Sequence, residues 1–326
     1  MQRRKFIAAL GSITAWPLIA RAQTPLAPVV GFLSTRSSKD SGKIVAAFGE
    51  GLTEAGLTID KTVAVEYRFA EGELSRLPEL AADLVSRKVT IIAAVGGASS
   101  AIAAKNATST IPIVFVMGGD PVKLGLAASI ARPGGNATGM TIRSALLAPK
   151  RLGLLRELVP NASSLAAIVN PGTPEGQMQS SDMHDAVQAL GLKLRILEAR
   201  DENGIDNAFA ALGAEKADAL MVGSDPVFDV NRDKIVRLAA RSGIPAIYQF
   251  RDYAVAGGLM SYDPDLVDAH RQVGVYAGRI LEGAKPSDLP ILQPTKFQLV
   301  INLKAAKALG LDVPSTMLAT ADEVIE

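Results

Sequence analysis

The chain has 326 residues, of which 48% are hydrophobic and 21% charged, enough to bury more than one core and compatible with about two domains. This composition excludes a collagen, a coiled coil and a disordered chain. The net charge is +1, but the first 22 residues hold four basic and no acidic side chains, so the remainder has 30 basic and 33 acidic ones and a charge of −3. Such a surface excludes a nucleic-acid-binding protein.

Cysteine is absent and only two histidines are present. Disulfides, thiolate nucleophiles and cysteine-ligated metal sites are therefore excluded. No apolar run reaches the roughly 18 residues that a membrane-spanning helix requires. We expect a globular α/β protein without a metal or cofactor.

The first 22 residues have the features of an export signal. Arg3 and Arg4 precede a modestly apolar stretch that extends to Ile19, and the small residues of Ala20–Ala22 suit a cleavage site. The paired arginines followed by Lys-Phe-Ile are similar to the twin-arginine pattern. We expect cleavage between Ala22 and Gln23 and a protein in the periplasm; a basic helix at the end of a cytosolic protein is the alternative.

Short apolar runs alternate with amphipathic stretches from residue 29 onward, which predicts parallel sheets with crossover helices. The predicted strands fall into two sets with similar spacing, so we predict two Rossmann-like lobes. The first set consists of Val29–Leu33, Val63–Tyr67, Ile91–Val95 and Ile113–Val116. The second consists of Leu165–Val169, Leu194–Leu197, Ala219–Val222 and Ala246–Tyr248, and the tail adds a strand at Phe297–Ile301 and a short helix at Leu303–Leu309.

Two helices can be predicted in detail from their 3.6-residue periodicity. One ends at Gly56, and its buried stripe consists of Ile44, Val45, Phe48, Leu52 and Ala55. The other follows Tyr262, with Asp263 as its cap and Pro264 in its first turn, and ends near Gly283. Its buried stripe consists of Leu266, Ala269, Val273, Tyr276 and Ile280.

Three glycine-rich or proline-rich segments are candidates for crossings between the lobes. They are residues 132–141, 256–258 and 286–294. We therefore predict a signal at 1–22, a first lobe at 28–141 plus 257–288, and a second lobe at 142–256 plus 289–326.

Sequence signatures of catalysis are missing. There is no nucleophile elbow, no zinc-protease motif, no P-loop and no dinucleotide-binding glycine motif after the first strand. His184 and His270 lie on the flanks of helical stripes, so we interpret both as partly solvated helix residues. We predict no catalytic residue, and an enzyme that uses only Asp and Glu is the alternative.

The loops that follow the strands form the candidate ligand site, because open α/β sheets bind ligands at the carboxyl ends of their strands. Gly96–Ser99 offers free helix N–H groups to an anion. Asp120 and Asp225 each precede a proline, which suits a helix cap, alone or combined with pairing to a ligand ammonium. The aromatic candidates either stack on a ligand or belong to the core. The predicted ligand-binding residues are Ser34, Thr35, Arg36, Phe69, Gly97, Ala98, Ser99, Gly119, Asp120, Asn170, Asp225, Tyr248, Phe250 and Tyr262.

Beyond the export signal, six segments occur in a characteristic order. They are Val30–Ser34, Ala70–Gly72 followed by Arg76–Pro78, Ile111–Phe115, Gly118–Val122, Arg132–Asn136 and Gly257–Tyr262. Together they resemble the ABC-transporter substrate-binding proteins of the tryptophan/tyrosine type. Two positions depart from that family's pattern: Gln249 stands where glutamate is common, and Asp263 where glycine is common.

The resemblance implies a type I periplasmic-binding-protein fold, with two lobes joined by a hinge that close on a small molecule and deliver it to an ABC permease in the inner membrane. It favours an amino acid or a related carboxylate as the ligand, and we expect a monomer with no nucleic-acid partner. The carboxylate would meet the N–H groups of Gly97, Ala98 and Ser99, and the ammonium would face Asp120 or Asp225. The alternatives are a periplasmic enzyme on a related scaffold and the sensor lobe of a transcriptional regulator, which would need a DNA-binding helix-turn-helix at its N-terminus.

Overall fold

The structure is a computed structural model that describes residues 27–142, 147–214 and 217–326. The predicted export signal and its cleavage site lie outside these residues. In the described ranges no helix combines the length and the apolar character needed to cross a membrane.

A five-stranded parallel sheet forms the centre of lobe 1. The strands are β1 Val29–Ser34, β2 Ala64–Phe69, β3 Ile91–Val95, β4 Ile113–Met117 and β5 Ala137–Thr141, in the order β2-β1-β3-β4-β5. Every residue of β3, β4 and β5 is buried. These strands are covered on both faces, which is why their sequences are continuously apolar or small rather than alternating. The first four strands confirm the prediction from the sequence.

Four helices cover this sheet. They are α1 Gly42–Glu54, α2 Leu77–Ser86, α3 Ala98–Ala107 and α10 Leu266–Leu281. Three residues of the predicted stripe of α1, Ile44, Phe48 and Leu52, are buried, and the other two, Val45 and Ala55, are half-buried. Helices α1 and α10 pack closely at Gly51, which has no side chain: a Cβ at this position would lie 1.9 Å from the carbonyl oxygen of Arg271. This contact fixes α10 to lobe 1.

A seven-stranded sheet forms the centre of lobe 2, with the order β12-β11-β10-β9-β8-β6-β7. Among its pairs, β10 and β11 are antiparallel. The strands are β6 Ser164–Val169, β7 Lys193–Glu198, β8 Ala219–Val222, β9 Ala246–Tyr248, β10 Met260–Pro264, β11 Phe297–Asn302 and β12 Glu323–Ile325. Its helices are α4 Ala148–Leu158, α5 Pro174–Ala189, α6 Glu202–Ala214, α7 Pro226–Val230, α8 Arg232–Arg241, α9 Arg251–Val255, α11 Leu303–Ala308 and α12 Ser315–Thr320.

The predicted assignment of residues 257–288 to lobe 1 is wrong at its start. Residues 260–264 form β10, which pairs with β9 and β11 in lobe 2. The segment 256–258 is a turn within lobe 2, and the chain passes to lobe 1 only between Pro264 and Leu266. The reason is that β10 takes its place between β9 and β11 in the second sheet before the crossing occurs.

The return to lobe 2 lies later than predicted. Leu292 still pairs with β5, since its N–H donates to the carbonyl of Gly139 at 2.8 Å and its carbonyl accepts from Thr141 N–H at 3.0 Å. The glycine-rich segment 132–141, predicted as a crossing, contains β5 itself. A Cβ at Gly139, whose φ is +147°, would lie 2.2 Å from the Phe115 carbonyl oxygen. This glycine permits strand contact with β4 rather than hinge motion.

The predicted cap of α10 is also wrong. Asp263 and Pro264 belong to β10, and the helix begins at Leu266. Asp265 caps it, since its carboxylate accepts hydrogen bonds from the N–H groups of Val267 at 2.8 Å and Asp268 at 3.3 Å. The predicted stripe is buried except for the half-buried Leu266.

Candidate functional site

One cavity lies where the carboxyl ends of strands from both lobes meet, and we call it the central cavity. Lobe 1 contributes the residues that follow β1, β3, β4 and β5, lobe 2 those that follow β6, β8 and β9, and the start of α10 completes the wall. The cavity contains about 450 Å³ of empty space, including the part open to solvent. Its lining residues are Arg36, Gly96, Gly97, Val116, Met117, Gly118, Ile142, Glu175, Ser224, Asp225, Pro226, Asp229, Phe250, Leu266 and His270.

Two polar contacts join the lobes across this cavity. Arg36, after β1, donates from Nη1 to Oδ2 of Asp229 on α7 at 2.9 Å, and both side chains are only 7% exposed. The N–H of Ala98, in the first turn of α3, donates to the carboxylate of Glu175 on α5. The two lobes therefore touch through charged and backbone groups in this structure.

Of the three N–H groups that were predicted to meet the ligand carboxylate, those of Gly97 and Ala98 are bonded to the protein itself. Glu175 takes the N–H of Ala98, and the N–H of Gly97 donates to the carbonyl of Val116 at 3.3 Å. Burial raises the pKa of Glu175 to about 7, and the nearby charge of Asp225 acts in the same direction. A buried carboxylate without a cationic partner is costly to ionise, which explains this shift.

Asp225 combines a helix cap with a place in the cavity wall. Its Oδ1 accepts the N–H of Val227 at 2.9 Å, and its Oδ2 accepts the hydroxyl of Thr173 at 3.0 Å. The residue is 3% exposed. Burial raises its pKa to about 6, against the opposing effect of these hydrogen bonds.

A buried polar cluster surrounds Asp229. In addition to Arg36, its carboxylate accepts hydrogen bonds from Gln249 Nε2 at 3.0 Å and from the Tyr253 hydroxyl at 3.1 Å. Gln249 is one of the two positions that depart from the pattern of the family that the sequence resembles. Its amide donates to Asp229, where a glutamate would present a second negative charge. The other departure, Asp263, forms a fully buried ion pair with Arg151 within lobe 2.

His270 lies in the cavity wall and is 1% exposed, so the prediction of a partly solvated residue is wrong for this histidine. Its Nδ1 bonds to the carbonyl of Leu266 at 2.7 Å, and its Nε2 has no partner in the described part of the chain. Burial lowers its pKa to about 4. His184, in contrast, is exposed on α5, as predicted.

The structure brings four of the predicted ligand-binding residues to the cavity wall: Arg36, Gly97, Asp225 and Phe250. Ala98 contributes its N–H group to the contact with Glu175. Five further predicted residues lie at or just after strand ends but do not line the cavity. Ser34 is the last residue of β1 and Ser99 lies in the first turn of α3, whereas Thr35, Gly119 and Asn170 lie on loops.

Four predicted residues lie elsewhere. Asp120 caps an exposed turn, and the ring of Tyr248 stacks on Tyr253 in the core of lobe 2, with ring centroids 5.0 Å apart. Phe69 packs on Phe32 and Tyr67, and Tyr262 packs on Phe297. For all three aromatic residues the core alternative is the one that the structure favours.

The sequence analysis missed Glu175, Asp229 and His270. Each of them lies within the first five residues of a helix, namely α5, α7 and α10. The prediction stopped at the loops, but a helix that points its N-terminus at a ligand site also brings its first turn there. A search extended by one turn into each helix could have found all three. No group of three His, Cys, Asp or Glu in the described ranges could hold a metal ion.

Comparison with known proteins gives consistent results. The Tyrosine-binding protein of Clostridioides difficile (strain R20291) is 26% identical over 269 residues, which are 82% of this chain and 77% of that protein. A conserved domain protein of Vibrio cholerae O1 biovar El Tor, known as a crystal structure, has a TM-score of 0.86 and 25% identity, covering 92% of this chain and 100% of its own. The ABC domain from Streptococcus pneumonia, in complex with L-Trp, has a TM-score of 0.83 and 24% identity with the same coverage.

The predicted architecture of two lobes with mainly parallel sheets, the type I periplasmic-binding-protein fold, is confirmed. The family model for ABC transporter substrate binding proteins matches residues 5–325. Nearly the whole chain is included in that match, and this chain belongs to the ABC transporter substrate-binding protein family.

Proposed function

We propose that this protein is the periplasmic solute-binding component of an ABC importer and that it captures a small organic solute, with an amino acid favoured, between its two lobes. One observation carries the proposal: the central cavity is lined by both lobes at the carboxyl ends of their strands. A ligand that contacts both lobes binds the closed form better than the open form and so shifts the population toward closure.

The charges of the cavity support an amino acid. Glu175 and Asp225 are buried, and neither has an ion pair within the described residues. The ammonium group of an amino acid would supply the missing positive charge. Asp225 was the predicted partner of this ammonium, and Glu175 joins it. Asp120, the other predicted partner, lies outside the cavity wall.

Arg36 replaces the N-terminus of α3 as the proposed partner of the ligand carboxylate. Its Nε is buried and has no hydrogen-bond partner among the described residues. The ligand's side chain would lie against the apolar part of the wall, which includes Phe250, Met117 and Ile142. The tyrosine-binding relative supports a ligand of this class.

The remaining parts of the proposal rest on the sequence and the family. The protein does not change its ligand chemically and delivers it to a permease in the inner membrane. It acts as a monomer. Its export would follow the twin-arginine route. Replacing Arg3 and Arg4 by lysine should leave the precursor in the cytoplasm, as measured by fractionation; an unchanged periplasmic yield would contradict this route.

A calorimetric screen of the purified protein against the standard amino acids tests the ligand class. We expect saturable binding at micromolar concentration, which corresponds to about 8 kcal/mol. Small-angle scattering should show a smaller radius of gyration once the bound amino acid is saturating, because the lobes close. If no amino acid binds, this ligand class is wrong; if one binds without a change in radius, lobe closure is wrong.

A further inference from the structure

His270 belongs to the wall of the central cavity, and one of its two ring nitrogens has no hydrogen-bond partner among the described residues. The side chain is 1% exposed and belongs to the residues that line the cavity. Its Nδ1 is bonded to the carbonyl of Leu266, one turn earlier on α10, at 2.7 Å. Its Nε2 is buried and has no partner in the described part of the chain.

The chemical state of this nitrogen follows from its neighbour. A carbonyl oxygen can only accept a hydrogen bond, so Nδ1 must carry a proton. Burial and the positive charge of Arg36 both hold the pKa of His270 at about 4, so the ring is neutral at physiological pH. A neutral ring with its proton on Nδ1 has an unprotonated Nε2, which is a hydrogen-bond acceptor.

The three carboxylates of the wall already have hydrogen-bond partners within the protein. Asp229 bonds to Arg36, Asp225 to Thr173, and Glu175 to the N–H of Ala98. The wall near the start of α10 is apolar, with Leu266 and Phe250. A buried acceptor in such surroundings is costly unless a donor reaches it.

The second histidine shows that the local structure does not require this arrangement. Nδ1 of His184 bonds to the carbonyl of Ser180, one turn earlier on α5, at 2.8 Å. The backbone contact is therefore the same as at His270, but His184 is exposed, so water can reach its ring. Only tertiary structure places one of the two rings in the cavity.

We propose that His270 determines specificity: its Nε2 accepts a hydrogen bond from an N–H or O–H group of the ligand, so that ligands with this donor bind more tightly than isosteric ligands without it. The inference rests on the proposed function, since it assumes that an amino acid occupies the central cavity. The charged groups of the cavity recognise the ammonium and carboxylate that all amino acids share, whereas His270 distinguishes between their side chains. A donor-free side chain leaves Nε2 unpaired in the closed cavity.

Two pairs of amino acids that differ only in a donor provide the test. L-Tyrosine and L-phenylalanine differ in a hydroxyl, and L-tryptophan and L-3-benzothienylalanine differ in an N–H that is replaced by sulfur. We expect at least one pair to bind the purified protein, with the donor-bearing member preferred by about 5- to 150-fold, which corresponds to 1–3 kcal/mol. Isothermal titration calorimetry measures both affinities.

Three variants separate specificity from folding. His270→Phe keeps a flat ring without an acceptor. The donor-bearing member should then bind no more tightly than the donor-free member, mainly because the affinity of the donor-bearing member falls. His270→Gln restores an acceptor and should retain part of the preference. His184→Phe is the matched control and should leave the preference unchanged. A thermal unfolding curve for each variant checks that it is folded.

The outcomes distinguish this inference from the proposed function. If the preference in His270→Phe equals that of the unmodified protein, the inference is wrong while the proposed function stands. If the donor-free member of each pair binds equally well to the unmodified protein, the inference is wrong as well. If no standard amino acid binds at all, the proposed ligand class is wrong, and the inference falls with it.

Discussion

The tripeptide Asp-Pro-Val occurs at matching places in the two lobes. Residues 120–122 follow β4 in lobe 1, and residues 225–227 follow β8 in lobe 2; in both cases the aspartate is the third residue after the strand. The local structure is also the same, because each aspartate Oδ1 accepts the N–H of the valine at 2.9 Å. Each lobe thus uses the same sequence for the same cap.

The surroundings of the two aspartates differ. Asp120 is half-buried on a turn and bonds a second N–H, that of Lys123, at 3.2 Å. Asp225 is buried in the cavity wall, where Thr173 bonds its second oxygen and burial raises its pKa to about 6. A cap depends on residues within one turn of the chain, whereas the cost of the charge depends on elements that are distant in sequence.

The largest expected effect concerns ligand affinity. Asp225→Asn keeps a good capping residue but removes the charge that pairs with the ligand ammonium, so binding of the tightest amino acid should weaken by about 2–5 kcal/mol. Asp120→Asn makes the same change outside the cavity and should leave the affinity unchanged. Calorimetry on both variants measures the difference. If the two variants lost ligand affinity equally, the proposed pairing of the ligand ammonium with Asp225 would be wrong.

A second test concerns Glu175, whose carboxylate lies near that of Asp225 in the cavity wall. The pKa of Glu175 is raised to about 7 in the folded protein, against 4.5 for an ordinary glutamate. Between pH 4.5 and 7 the folded protein therefore keeps a proton that the unfolded chain has lost, and the free energy of unfolding falls as the pH rises. Glu175→Gln lacks this loss. Its stability relative to the unmodified protein should increase from pH 4.5 to 7 and stay constant above that range.

Glu79→Gln is the matched control for this pH profile. Glu79 also follows a proline in the first turn of a helix, α2, but it is exposed. Urea unfolding across the pH range should show no comparable increase for this variant. If the difference in unfolding free energy between Glu175→Gln and the unmodified protein does not change with pH, the carboxylate of Glu175 is ionised without cost in the folded protein.

The smallest expected effect concerns the caps themselves. Asp120→Ala and Asp225→Ala should each lower the free energy of unfolding by about 1 kcal/mol, because each removes the cap of the turn that follows its strand. The loss of the Thr173 contact does not add much to the second value, since the single hydroxyl hydrogen can instead be donated to the carbonyl oxygen of Asn170, 3.2 Å away. Urea unfolding measures both. A loss several times larger for one variant would show that its aspartate has a structural role beyond the cap.

Much of the fold could be predicted from the sequence. The eight strands of the two predicted sets were found because buried parallel strands have short, apolar and β-branched sequences. The prediction failed at β10, whose residues 260–264 were assigned to lobe 1. Periodicity identifies a strand but not the sheet in which it pairs, and in this case the pairing depends on β9 and β11.

The candidate site was predicted in part. Arg36, Gly97, Asp225 and Phe250 were found because they follow strand ends, and they line the central cavity. Tyr248 was predicted by the same argument but is buried against Tyr253. A position near a strand end does not define the direction of the side chain, which is determined by packing.

The sequence by itself determined the local structure of this protein: the extent of the strands, the stripe of α1 and the Asp-Pro-Val caps. These features depend on interactions within a few residues of the chain. Only the tertiary structure decided that Asp225 and His270 face the cavity while Asp120 and His184 do not. Burial, and with it the pKa and the free hydrogen-bonding capacity of these groups, arises from contacts between elements that are far apart in sequence and from the meeting of the two lobes.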